Sequence, residues 1–147
     1  MTVLNHIYKN IGEVVGLRIG LNAAISFDAS VQQWLLLLRG ATLYMIPEYT
    51  RTDPDLLAST LSAWQLDVID CTPSQLPLLL PSDHSVGMAR TFLVGGEAIN
   101  HQLWNTLQQR FGQSFYNVYG LTETTVDSLY CDIQTAGDTP DQVRMLL

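Results

Sequence analysis

The chain alternates two hydrophobic periods. Short apolar runs of strand length are separated by stretches in which apolar residues recur every three or four positions. Residues 2–12 read as a helix. "LRIGLNAAISF" (17–27) reads as a strand with some irregularity. Ser30 is placed to cap a helix whose apolar positions are Val31, Trp34, Leu35 and Leu38, and Gly40 stands where helices stop. Residues 41–47 form the next strand, closed by Pro47. Asp53-Pro54 is a cap followed by a first-turn proline, with Leu57, Leu61 and Trp64 on one face behind it. "LDVIDC" (66–71) is a strand, and Thr72-Pro73 opens a short helix to about Leu80. Residues 90–96 are a strand. Asn100 caps a helix with Leu103, Trp104, Leu107 and Phe111 inward, stopped by Gly112. Residues 114–120 and 124–133 supply two more strands, after which the pattern is lost.

Strand–helix repetition of this kind predicts an α/β fold: a three-layer sandwich of a mostly parallel sheet flanked by helices, flavodoxin-like in class. Residues 1–135 are expected to form that subdomain, and 136–147 a tail or a link to a further region. At 147 residues the chain can bury one core. In such a sheet, ligands gather at the carboxyl ends of the strands. Polar residues collect there: Asp28 after "ISF", Asp70 at the end of "DVID", Gly95 to Glu97 after "TFLV", and Asn117 to Glu123 after "SFY".

Composition narrows the function. Only 14% of residues are charged, against about 25% in ordinary soluble domains, which points to a surface partly covered by something else. Seven basic and fourteen acidic residues leave a net charge of −7. Without a basic cluster the chain is a poor nucleic-acid binder, and it lacks a basic amphipathic helix for membranes. No apolar run is long enough to span a bilayer, and the N-terminus has no signal-peptide pattern, so a cytoplasmic location is expected. Cys71 and Cys131 stand apart and read as buried free thiols. His6, His84 and His101 lack metal-ligand spacing.

"FDAS" (27–30), "GGEA" (95–98) and "NVYGLTE" (117–123), in this order with helices between, resemble the adenylation domain of nonribosomal peptide synthetases, within the acyl-adenylate-forming superfamily. "GGEA" alone is a weak signal, whereas the third motif together with "FDAS" upstream is specific. The resemblance covers roughly residues 3 to 135. It lacks the family's phosphate loop, its ribose-binding aspartate and the small C-terminal domain with the catalytic lysine, so the chain looks like an excised substrate-binding subdomain, inactive alone. Leu121 stands where peptide synthetases usually carry proline; leucine there is common in acyl-CoA ligases and luciferases.

Residue by residue, the resemblance implies two sites. Asp28 would bind the substrate's α-ammonium, although such a residue also reads as a helix cap. Asp28, Ala29, Gln32, Asp70, Leu93, Gly95, Val118, Val126 and Asp127 would wall the amino-acid pocket. Gly96, Glu97, Ala98, Asn117, Tyr119, Gly120 and Thr122 would contact the nucleotide. Glu123 would hold Mg2+, with Thr122 and Glu123 contributing to catalysis. The plain readings of these residues are a polar loop, a Gly-Gly turn and a core tyrosine. ATP and Mg2+ are the implied cofactors, and phosphopantetheine on a peptidyl carrier domain the implied acceptor. The implied partners are the amino-acid substrate, that carrier domain and the remaining lobes. A glutamine amide and carboxylates in a small cavity resemble glutamine-activating pockets; glutamate and ornithine are the competitors, with like charge disfavouring glutamate. An acyl-CoA ligase fragment and a non-catalytic flavodoxin-like module are the alternative readings.

Overall fold

The computed structural model describes residues 8–80, 89–120, 129–137 and 144–145, with only the backbone at Asp28, Ala29, Arg144 and Met145. Helix α1 is described over 8–11. There follow β1 (Arg18–Leu21), α2 (Asp28–Leu37), β2 (Thr42–Met45), α3 (Glu48–Arg51), α4 (Pro54–Trp64) and β3 (Leu66–Cys71). Then come α5 (Leu76–Leu79), β4 (Ala89–Val94), α6 (His101–Gln108), β5 (Ser114–Tyr119), β6 (Leu129–Asp132) and β7 (Arg144–Met145).

These strands form one sheet in the order β2-β1-β3-β4-β5-β6-β7. Strands β1 to β5 are parallel, and β6 and β7 add antiparallel edges. The order 2-1-3-4-5 is the flavodoxin-like doubly wound arrangement. Each face of the sheet carries its own core. Leu57 and Leu61 of α4, Leu76 and Leu79 of α5, and Trp104 and Leu107 of α6 cover one face, over Ile69, Phe92 and Phe115. Tyr8 of α1 and Leu36 of α2 cover the other, over Val68, Leu93, Tyr116 and Val118. Strand alternation sends successive side chains to opposite faces.

Two helix starts follow the capping chemistry read from the sequence. Asp53 Oδ1 accepts from the N–H groups of Asp55 and Leu56 at 3.1 and 3.0 Å, and Asn100 Oδ1 accepts from Leu103 N at 2.8 Å. These bonds satisfy amides that the first helical turn leaves open. Asp53→Ala should therefore lower stability by about 1 kcal/mol, read as a shift in the urea midpoint at constant slope.

Other expectations are corrected. Helix α2 starts at Asp28 with Phe27 at its cap position. Ser30 lies inside it, and its hydroxyl donates back to the Phe27 carbonyl at 2.7 Å and the Ile25 carbonyl at 3.1 Å. The expected apolar face of α2 is largely outward: Val31, Leu35 and Leu38 are exposed, whereas Ser30, Gln33 and Leu36 are buried. Phe111 was expected inward and is 94% exposed; α6 ends at Gln108, three residues short of it, and Gly112 turns the chain at φ +80°. The strand read over 17–27 holds its ladder only over Arg18–Leu21. Thr72-Pro73 opens a turn rather than a helix, and α5 begins at Leu76. Apart from these corrections, the backbone of β7 pairs with β6 through Leu129–Met145 and Tyr130–Arg144.

Candidate functional site

In a doubly wound sheet the connections leave neighbouring strands in opposite directions at one point, and a crevice opens at the carboxyl edge there. That point is between β1 and β3. A cavity of about 570 Å3 lies there. Its wall includes Asn22 after β1, Gln32 and Gln33 of α2, Asp70 of β3, Leu93 and Gly95 from β4, and Val118 of β5.

The register explains which residues meet. Asp70 is paired with Leu93, and Leu93 with Tyr116. Asp70, Leu93 and Val118 therefore point to the same face, beneath α2. Asn117 and Tyr119 alternate to the other face of β5; Asn117 is half-buried and Tyr119 is 54% exposed. The residues implied for the side-chain pocket and those implied for the nucleotide are thus separated by the pleat of one strand.

Two glycines shape the edge. A Cβ on Gly95 would lie 2.7 Å from both the Val118 carbonyl oxygen and Val118 Cγ2, so only glycine lets β4 approach β5 this closely. Gly96 has φ +81°, the left-handed conformation that turns the chain out of the sheet. Glu97 then accepts from Ser74 N at 3.2 Å and from Ser74 Oγ at 2.8 Å, fastening this loop to the one after β3. Ala98 is exposed and Gly120 is half-buried at the same edge.

Asp70 is the chemical centre of the cavity. Burial pushes its carboxyl up to about 6, only partly offset by a hydrogen bond from Gln33, backbone N–H groups and the nearby Arg51 guanidinium. Its Oδ1 has no hydrogen-bond partner, and neither do Gln33 Oε1 and Arg51 Nε; all three atoms are shut off from water. Arg51 also donates from Nη1 to Glu48 Oε2 at 2.8 Å. Asn22 Nδ2 donates to the Asp70 carbonyl and to Gln75 Oε1, both at 3.1 Å, and Gln75 Oε1 also accepts from Thr72 N at 3.3 Å. This network holds the strand ends in place.

Sequence reading missed Asn22, Gln33, Arg51 and Gln75. An amide at the end of β1 was a findable signal; Arg51, on a single helical turn after Pro47, carried none. Asp28 and Ala29 begin α2, one turn before Gln32 and Gln33. Thr122, Glu123, Val126 and Asp127 lie outside the described residues, as does Leu121. Among the described residues no group of His, Cys, Asp or Glu is arranged to hold a metal ion, and no helix is long and apolar enough to cross a membrane.

Residues 4–145 match the family model described as AMP-binding enzyme. The chain belongs to this family. Adenylation-domain homologues specify the branch. The AMB antimetabolite synthetase AmbE of Pseudomonas aeruginosa is 38% identical over 126 residues, 83% of this chain and 6% of that protein. The dapdiamide synthesis protein DdaD of Enterobacter agglomerans is 33% identical over 125 residues, 83% of this chain and 21% of that protein. A crystal structure of the four-domain nonribosomal peptide synthetase AB3403, bound to AMP and glycine, superimposes with a TM-score of 0.68 at 29% identity, covering 82% of this chain and 9% of that one. The adenylation fragment described here is of the nonribosomal peptide synthetase type and spans a small part of these relatives' lengths.

Proposed function

We propose that this chain supplies the amino-acid-selecting pocket of an adenylation domain that activates a polar amino acid, with L-glutamine the favoured substrate. In the complete reaction the substrate carboxylate attacks the α-phosphorus of ATP. The bond to pyrophosphate breaks and an aminoacyl-adenylate forms. The acyl group then passes to the phosphopantetheine thiol of a carrier domain, releasing AMP. Mg2+ would offset the charge of the phosphates, with Glu123 its proposed ligand.

The chain's own part is binding and orientation. Asp28, at the first position of α2, is proposed to pair with the α-ammonium. Gln32, Asp70, Leu93, Gly95 and Val118 would surround the side chain, together with Ala29, Val126 and Asp127. The loop of Gly96, Glu97 and Ala98, with Asn117, Tyr119, Gly120 and Thr122, would meet the nucleotide. A location in the cytoplasm, where ATP is made, follows from this reading.

The observation that carries it is the Asp70 carboxylate, with Oδ1 closed off from water, in the wall of a cavity at the switch point of the sheet. A polar end-wall also disfavours the fatty-acyl reading. The test is titration of the chain with glutamine and with AMP, followed by amide-proton NMR. Shifts at Gln32, Asp70 and Gly95 with glutamine, and at Gly96 to Ala98 with AMP, are expected. Equal binding of leucine and glutamine would count against the substrate. ATP–pyrophosphate exchange by the pure chain should stay at background, because no catalytic lysine is present.

A further inference from the structure

We infer that Gln33 and Arg51 are specificity-determining residues, forming with Asp70 an end-wall that recognises a terminal carboxamide. This rests on the reading of the cavity as an amino-acid side-chain pocket and deepens it with two residues that no motif singles out.

The cavity wall carries unmet hydrogen-bonding capacity. Buried polar groups are nearly always paired, and an unpaired one is costly. Three side chains on one cavity wall break that rule together: Gln33 Oε1, Asp70 Oδ1 and Arg51 Nε. Gln33 is 5% exposed, so water does not answer its demand. The unmet set is two acceptors and one donor. A carboxamide offers the complement: two N–H donors on one nitrogen and one carbonyl acceptor. Gln33 already bonds Asp70, and Arg51 is near enough to act on its charge, so the three groups form one cluster. All three residues line the cavity. Gln33 and Arg51 are long side chains, and a turn about their outer torsions would bring them to a ligand.

Other side chains fit less well. A carboxylate offers only acceptors and would leave Asp70 Oδ1 and Gln33 Oε1 unmet, beside the negative charge of Asp70. An ammonium offers only donors, leaves Arg51 Nε unmet and sets a cation against the guanidinium. An aliphatic side chain answers none of the three. Glu48 takes one Nη1 hydrogen of Arg51, and Nε is left buried without an acceptor.

The test is calorimetric or NMR titration of the 147-residue chain with glutamine, ornithine, glutamate and leucine. Glutamine should bind at least tenfold more tightly than the other three. Arg51→Met should weaken glutamine about tenfold and strengthen ornithine, because the donor and the competing cation leave together. Gln33→Met should weaken glutamine and ornithine by a similar factor and leave leucine unchanged. A purely structural role would lower all ligands alike, which would overturn the inference. If Gln33→Met does not fold by circular dichroism, the isosteric Gln33→Glu replaces it, with a switch from glutamine toward ornithine expected. Should leucine, glutamate or ornithine bind the parent chain as tightly as glutamine, the carboxamide assignment is wrong while the pocket stands. If no amino acid binds at tens of millimolar, both the pocket reading and this inference fall.

Discussion

Gly95→Ala is expected to destabilise the chain by about 2–3 kcal/mol and to abolish measurable ligand binding in the cavity. The added methyl group would meet the Val118 carbonyl oxygen and Cγ2 at 2.7 Å. A side-chain tip could rotate away; a backbone carbonyl in a sheet cannot. Relief would require β4 and β5 to part at their carboxyl ends, while on its other side Gly95 N is held to the Cys71 carbonyl of β3 at 3.1 Å. Forcing one carbon into a packed site costs about 1–3 kcal/mol, and the close approach to a backbone carbonyl places this case at the upper end. The methyl group would also stand in the cavity wall, where Gly95 and Val118 are neighbours. Chemical denaturation gives the stability, and titration with glutamine gives the binding. A wild-type midpoint would show that the strand ends are more pliable than this packing implies.

Asp70→Asn should have the opposite effect on stability. The Asp70 carboxyl is raised from 3.8 to about 6 by burial. The folded chain therefore holds a proton there more tightly than the unfolded chain does. From linkage, stability falls as pH rises from about 4 to about 6 and stays at the lowered level above that. Below about pH 4 both states are protonated and the site costs nothing. Asparagine cannot ionise and still accepts from Gln33. At pH 7 the variant should be more stable by about 2 kcal/mol, and that part of the pH dependence should vanish. Binding should move the other way, with glutamine weakened at least tenfold by loss of a charge-assisted partner. A pH series of thermal or urea melts on both chains decides it: parallel curves between pH 4 and 7 would mean Asp70 does not carry the strain assigned to it. A stabilising substitution that removes binding is the usual signature of a functional site.

Much of the site was legible because it follows from the sheet. Once strands are placed by their apolar runs, their carboxyl ends are known, and Asp70 and Gly95 fall on one edge; Leu93 and Val118 came from the family resemblance. Gln32 was reached through the family resemblance, with its place one helical turn after Asp28 in support. Its neighbour Gln33 was not, although it is the buried one of the pair. The reason lies in α2. Its most apolar stripe, Val31 and Leu35 with Leu38 beyond the helix end, faces outward, and Ile25 and Phe27 are exposed just before it. Apolar periodicity marks the stripe that avoids water; it does not say which partner covers that stripe. A helix that walls a polar cavity turns polar residues inward, and the periodic rule then selects the wrong face.

By itself, the sequence determined what short-range chemistry controls. Strand and helix identity, the caps at Asp53 and Asn100, the parallel α/β class and the family motifs all depend on residues a few positions apart, or on strands long enough to declare their period. Tertiary structure alone decided the rotation of α2 about its axis, the pairing of β7 with β6, the exposure of Phe111 and the arrival of Arg51 beside Asp70. Those outcomes depend on energies summed over distant surfaces. Residues 33, 51 and 70 meet because three separate elements pack at one crevice, and no local pattern encodes that meeting.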